Sequence, residues 1–204
     1  SCPFGAIVDK SQIFQVVRSI AEGNTVVAIV APSFVGQFGK NVTVPKFVAA
    51  MKQLGFSDVV EVAAGADVCA IEEARDFVEK VPAQQKFLAT SCCPSWRMMA
   101  RRLFPDESGN ISMTYTPMIY TARLVKHTHP GSKVVFIGPC AAKKLEAMQQ
   151  ELRSDVDFVL TYEELMGIFE AKAIDFSQLP DTDDLHDASG LGRGFAAAGG
   201  VAAA

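Results

Sequence analysis

A chain of 204 residues, 49% of them hydrophobic, with a net charge of −4, is long enough to bury a sizeable core. Its mild acidity, with basic side chains scattered and adjacent only at Arg101-Arg102 and Lys143-Lys144, excludes the basic stripe of a nucleic-acid binder. No apolar run reaches the length of about 18 residues that a membrane span needs, and the start SCPFGAIVDK lacks the layout of a signal peptide, so the expectation is a cytoplasmic protein.

Ser11-Gln12 open an amphipathic helix through IFQVVRSIAEG that Gly23 closes. The β-branched run Thr25–Val30 has the pattern of a buried parallel strand. A helix is predicted around Val44–Leu54, a strand at Asp58–Val62, a helix over about Val68–Lys80 and a third strand at Lys86–Thr90 (KFLAT). Helices follow over Pro94–Leu103 and Pro117–Thr128, then a strand at Lys133–Ile137 and a helix from Ala141 to about Arg153. A last strand at Asp157–Leu160 leads into a helix over Tyr162–Ala171. This βαβ rhythm predicts an α/β fold of two lobes, each of mostly parallel sheet flanked by helices. The turn-rich Pro105–Ser112 is the expected join, with one lobe over about residues 10–105 and the other over about 106–204. A polar loop, Ser177–Ser189, precedes a Gly/Ala-rich end.

Five cysteines, Cys2, Cys69, Cys92, Cys93 and Cys140, are odd in number and widely spaced. That points to metal or redox chemistry and away from a secreted disulfide scaffold. Cys69, in the apolar phase of a helix start, reads as a small buried hydrophobe. Cys92-Cys93 (TSCCPSW) and Cys140 (GPCAAK) each follow a predicted strand. Ligands of open α/β sheets bind at the carboxyl ends of strands, and a helix N-terminus there favours thiolates. The two strand ends are therefore expected to face one cluster pocket, although two thiolates complete neither a zinc site nor a cubane.

By themselves the surrounding polar residues read blandly. Lys143 is a solvated helix position; Glu72, Glu73 and Asp76 form a solvated helix face; Ala31-Pro32-Ser33 is a strand-to-loop turn. Glu146 either supports Lys143 or lies on the surface. His127, His129 and His186 have no metal-like partner and read as solvent-facing, and Gly192–Gly199 lacks the spacing of a dinucleotide loop.

TSCCPSW and PCAAKKLE resemble, in the right order, the first and second signature motifs of iron-only hydrogenases. The likeness extends through APS at Ala31–Ser33, the IEEA stretch and FAAAGGV at Phe195–Val201, and so covers nearly the whole chain. The opening SCPFGAI resembles the end of a bacterial ferredoxin CxxCxxxCP module, which makes residues 1–9 the remnant of an upstream module and Cys2 its last cluster ligand. The third family motif, resembling MACxxGCxxGG, is not in the chain. The expectation is a catalytic domain cut short before two of its cluster ligands, and inactive alone.

The resemblance implies a 4Fe-4S cubane joined to a di-iron subcluster carrying CO, cyanide and a bridging dithiolate, with additional 4Fe-4S clusters if the upstream region is present. Carried over by position, Cys93 and Cys140 are two cubane ligands, and Lys143 donates to a cyanide. Ala31, Pro32 and Ser33 line the di-iron pocket. Cys92 passes protons, and the relay continues through Glu73, Ser112 and Asp76. Asp76 stands where the family usually has Glu, and Gly138 where it usually has a Met packed on the di-iron unit; Thr116-Pro117 replaces the usual Ser-Pro. The implied activity is reversible hydrogen oxidation and proton reduction. Its partners are ferredoxin or another redox carrier and the hydrogenase maturation proteins, with no nucleic acid. The alternative is a non-catalytic relative serving hydrogen sensing or iron–sulfur cluster assembly, and a simple thiol redox protein is the weakest reading because no C-x-x-C is present.

Overall fold

The computed structural model describes residues 9–181, 185 and 188–203, so Cys2, His186 and nearly all of the 1–9 segment lie outside the described residues. Four strands, β1 (Val26–Val30), β2 (Asp58–Glu61), β3 (Lys133–Gly138) and β4 (Phe158–Thr161), form one parallel sheet in the order β2-β1-β3-β4. Every residue of β1 is buried, as a strand covered on both faces requires. The alternation of the pleat divides the core in two. Val26, Ala28, Val30, Val135, Ile137 and Leu160 pack against α1 (Ile13–Ala21), α2 (Val44–Leu54) and α7 (Tyr162–Ala171). Val27, Ile29, Val134 and Phe136 pack instead against Met118, Ile119 and Ala122 of α5 (Pro117–Thr128). Side chains as fully enclosed as Ile29, Phe47 and Met51 each contribute about 1.5–3 kcal/mol.

Two strands come from before residue 105 and two from after it, so the sheet is shared between the two expected lobes. KFLAT is not a strand of this sheet. Its neighbourhood forms a single parallel bridge, Ala89 to Ile111, with Ala89 N–H donating to Asn110 O at 2.8 Å and Ser112 N–H to Ala89 O at 2.8 Å. Phe87 stays exposed, and an apolar run that buries so little gains nothing from a longer ladder. The helix expected from Ala141 to Arg153 is only six residues, α6 (Ala142–Ala147), because the chain then turns to tuck Leu152 and Val156 into the core. Conversely, α3 (Val62–Lys80) starts earlier than expected, directly from β2. Gly65 lets α3 and α5 cross closely: a Cβ there would lie 2.3 Å from both Pro117 O and Thr121 Oγ1. No helix of the described residues is long and apolar enough to cross a membrane.

Candidate functional site at the sheet switch point

From β1 the chain moves outward to β2, then returns to place β3 on the other side of β1. The carboxyl ends of β1 and β3 are thus the topological switch point, where open α/β sheets bind ligands. Ala31-Pro32-Ser33 leaves one of these ends and Gly138-Pro139-Cys140 the other. Ala31, Pro32 and Ser33 from the one, and Pro139 and Cys140 from the other, line a cavity of about 290 Å³ together with Cys92, Cys93, Lys143 and Phe136.

Cys93 is the N-cap of α4 (Pro94–Leu103), where its sulfur accepts the Trp96 N–H at 3.5 Å. Ser95, on the first turn of the same helix, brings its hydroxyl 4.0 Å from Cys140 Sγ. Lys143 reaches back across the cavity from α6. Its Nζ donates to the Cys92 carbonyl oxygen at 3.1 Å and to Glu146 Oε2 at 2.7 Å. Glu146 is 2% exposed, and its other oxygen accepts from Thr116 Oγ1 at 2.8 Å. Glu146 therefore supports Lys143 from within the core and does not lie on the surface. Lys144, next in sequence, points elsewhere: its Nζ pairs with Asp9 and Glu164 and donates to the Lys10 carbonyl oxygen.

Glu73 sits buried behind Cys92 and is not part of a solvated face. Its Oε1 accepts the Ser91 N–H at 3.4 Å, and the Ser112 hydroxyl also bonds it. Burial raises its carboxyl affinity for a proton, and the Asp76 charge adds to that, against the opposing effect of those two hydrogen bonds. Burial, then the Glu73 charge, pushes the Cys92 thiol up as well, with Lys143 opposing. Ser112 is buried beside them, held by the Ala89 bridge, and its hydroxyl accepts the Thr114 N–H at 3.1 Å. Asp76 lies further along α3, in a half-buried ion pair with Lys80 at 2.9 Å. Cys69 is enclosed in the middle of α3, with its thiol pushed up to about 12 by burial, consistent with a structural role.

One group just behind the cavity wall carries no signal in the sequence motifs. Tyr162, at the end of β4, donates to Ala31 O at 3.1 Å and shares a 2.8 Å hydrogen bond with Ser33 Oγ. Burial raises its phenol to about 12, which keeps it neutral. A phenol placed immediately after a buried strand was the available hint. Phe195 and Ala196 reach the cavity because α8 (Gly190–Gly194) is clamped onto β2 and α3. Arg193 bonds both carboxylate oxygens of buried Glu61, and Asp67 accepts from the Ser189 and Gly192 N–H groups. Of the histidines, His127 is exposed, while His129 lies 3.6 Å from Asp58 and is not purely solvent-facing.

The donor set at the cavity is two cysteine sulfurs, Cys93 and Cys140, with a third, Cys92, alongside. Among the described residues no three His, Cys, Asp or Glu groups converge to hold a metal ion unaided. A cubane takes four cysteines; the chain's two fit as half of such a set, over an apolar cavity with one directed ammonium.

The family model for the C-terminal domain of the iron-only hydrogenase large subunit matches residues 24–204. Iron hydrogenase 1 of Clostridium pasteurianum is 31% identical over 98% of this chain and 39% of its own length. The NADP-reducing hydrogenase subunit HndD of Solidesulfovibrio fructosivorans gives the same figures. A cytosolic Fe–S cluster assembly factor of Phaeosphaeria nodorum is 33% identical over 54% of this chain and 20% of its own length. The apo FeFe-hydrogenase of Chlamydomonas reinhardtii superposes with a TM-score of 0.75 at 23% identity, over 87% of this chain and 52% of that one. The chain thus spans about two fifths of these hydrogenases' length and about half of that solved chain. With its parallel sheet and switch-point cavity, the chain belongs to the family of C-terminal domains of iron-only hydrogenase large subunits.

Proposed function

We propose that this chain forms part of a site for reversible hydrogen oxidation and proton reduction. Cys93 and Cys140 would hold a 4Fe-4S cluster, and Lys143 with Ala31, Pro32 and Ser33 would line a di-iron subcluster carrying CO, cyanide and a bridging dithiolate. The observation that supports this most is the convergence of Cys92, Cys93, Cys140 and Lys143 on one cavity, with buried Glu73 behind Cys92. When bound, such a group supplies the redox chemistry that parts hydrogen into two protons and two electrons.

The chain's own residues do the rest. Cys93, as the N-cap of α4, holds its sulfur at the positive end of the helix, where an anionic cluster is favoured. Lys143 has three N–H donors; Glu146 and the Cys92 carbonyl take two of them, which leaves one for an anionic ligand such as cyanide. Cys92 keeps its proton near neutrality, as a thiol that gives and takes protons must. Glu73 is the next acceptor, Ser112 bridges outward, and Asp76 ends the relay at a half-buried surface ion pair. Ferredoxin-type carriers, maturation proteins, further upstream clusters held in part by Cys2, and a cytoplasmic location complete the proposal, with residues 1–9 and 10–204 as its two domains.

Infrared spectroscopy of the intact gene product, matured with its di-iron cofactor, tests this directly. CO and cyanide bands are expected, and their absence refutes the hydrogenase reading. Cys92→Ala is expected to cut turnover by a factor of about 100 or more while leaving cluster absorption intact; unchanged turnover removes Cys92 from the mechanism. A second reading, a non-catalytic relative in hydrogen sensing or iron–sulfur assembly, is favoured by Gly138 and Asp76 and by the likeness to the assembly factor. CO and cyanide bands without turnover would select sensing, and cluster absorption without those bands would select assembly.

A further inference from the structure

Gly138 closes β3 between the cavity-lining residues Phe136 and Pro139, yet its backbone needs no glycine: it is absent from the glycines with positive φ. The requirement is steric. A Cβ at Gly138 would lie 2.5 Å from Phe136 Cε1 and 2.6 Å from Cζ, and 3.4 Å from Ala31 Cβ. Residues 136 and 138 share a face of the strand, so the Phe136 ring lies along β3 in the volume that any side chain at 138 would need. That ring is 3% exposed, packs with Met118 and Ala31, and forms part of the cavity lining.

We propose that Phe136 walls the cavity in place of a side chain at position 138, so that the two positions act as one exclusive pair and Phe136 sets the shape of the wall facing the bound group. This rests on the hydrogenase reading only for the identity of that group. Chemically the substitution matters. A thioether at 138, as the family pattern has it, would present a flexible, polarisable sulfur. An aromatic ring presents a stiff hydrocarbon with a partially positive edge, a surface that can lie against the anionic end of a cyanide or a CO oxygen but offers no lone pair. Phe136 is a positioning residue in this sense: it fixes where a small diatomic ligand fits without donating or accepting a proton.

The test is a double-mutant cycle in the intact gene product, read by thermal melting. Gly138→Met is expected to lower Tm by roughly 5 °C through overlap with the ring, and Phe136→Ala by roughly 6–20 °C through the hole it leaves. The Phe136→Ala/Gly138→Met double is expected to melt no lower than either single variant, because the thioether refills the space. Additive losses overturn the proposal. If Gly138→Met does not accumulate, Gly138→Ala serves: it is expected to cost roughly 3 °C in the parent and nothing in the Phe136→Ala background, and an equal cost in both overturns the pairing. In the matured protein, Phe136→Ala is expected to shift the CO and cyanide infrared bands, and Val134→Ala, in the same core cluster but off the cavity lining, to leave them in place. Unshifted bands in Phe136→Ala overturn the role of the wall. If the parent protein shows no such bands at all, the hydrogenase reading fails and the melting cycle still decides the pair.

Discussion

The Lys143–Glu146 pair offers a prediction with a defined size. Glu146 is 2% and Lys143 13% exposed at the side chain, joined at 2.7 Å, with Thr116 bonding the second carboxylate oxygen. Glu146→Ala leaves a nearly buried ammonium without its counter-charge and a buried hydroxyl without its acceptor. Breaking such a pair costs about 3–5 kcal/mol. The lower end applies, because Lys143 retains the Cys92 carbonyl and some access to water. A loss of about 3 kcal/mol changes the folded-to-unfolded ratio by roughly 160-fold and lowers Tm by roughly 6–12 °C for a domain of this length. Lys143→Met alone strands the carboxylate instead, at a similar cost. The two together remove both charges, and since a buried pair contributes little net stability, the double variant is expected to lose about 1 kcal/mol, chiefly from the Thr116 hydroxyl left without its acceptor, which is less than either single change and far from the sum. Denaturant or thermal melts of the four proteins measure the coupling. A Glu146→Ala loss below about 1 kcal/mol, or additivity of the two substitutions, would show that the pair is not the buried tie described above.

Glu73→Gln tests the relay from the stability side. The carboxyl of Glu73 is held above its ordinary value of 4.5 chiefly by burial, so the folded chain binds that proton more tightly than the unfolded one. Stability from this group is full below the ordinary carboxyl range and is lost as pH rises through the raised folded value. Glu73→Gln is therefore expected to raise Tm at pH 7–8, with the gain vanishing towards pH 4, while turnover falls; a gain that persists at low pH refutes burial as the cause. Lys144→Met is expected to free the segment at Asp9–Lys10 and to speed tryptic cleavage after Lys10 by about tenfold, equivalent to roughly 1.4 kcal/mol of local opening. Unchanged cleavage would mean that other contacts hold it. With Cys69 enclosed and its thiol near 12, a thiol reagent at pH 8 is expected to label Cys93 and Cys140 in the native chain and to spare Cys69 until unfolding. Early labelling of Cys69, read by mass spectrometry, contradicts its burial.

How much of this was legible in sequence depended on the range of the forces involved. The helices Val44–Leu54, Pro94–Leu103, Pro117–Thr128 and Tyr162–Ala171 have the bounds expected from periodicity and caps, because a Pro in the first turn and the capping box of Thr161 and Glu164 act locally. KFLAT looked like a strand for equally local reasons and failed because strand formation needs a partner, and the sheet is complete without it. At the site, cysteines after strands were visible as a pattern. That Glu146 faces inward and that Tyr162 ties the Ala31 carbonyl to Ser33 depends on contacts between residues 30 to 131 positions apart in the chain. The solvated-face reading of Glu72, Glu73 and Asp76 erred at Glu73 for the same reason. Helical spacing puts them near one another, but only the packing of Ser91 and Ser112 against α3 decides that Glu73 is enclosed while Glu72 pairs with Arg75 at the surface.

The two adjacent lysines of α6 have a mechanical consequence. Consecutive residues of a helix point about 100° apart, so this short helix holds the Cys92 backbone with Lys143 and the chain at residues 9–10 with Lys144. Both tethers end on charges fixed by carboxylates, Glu146 on one side and Glu164 on the other. A displacement of the entering chain is thereby handed, through a single rigid turn, to the loop that carries the paired cysteines. The distance between residues 9–10 and the cavity is set by a short strut and not by a flexible linker.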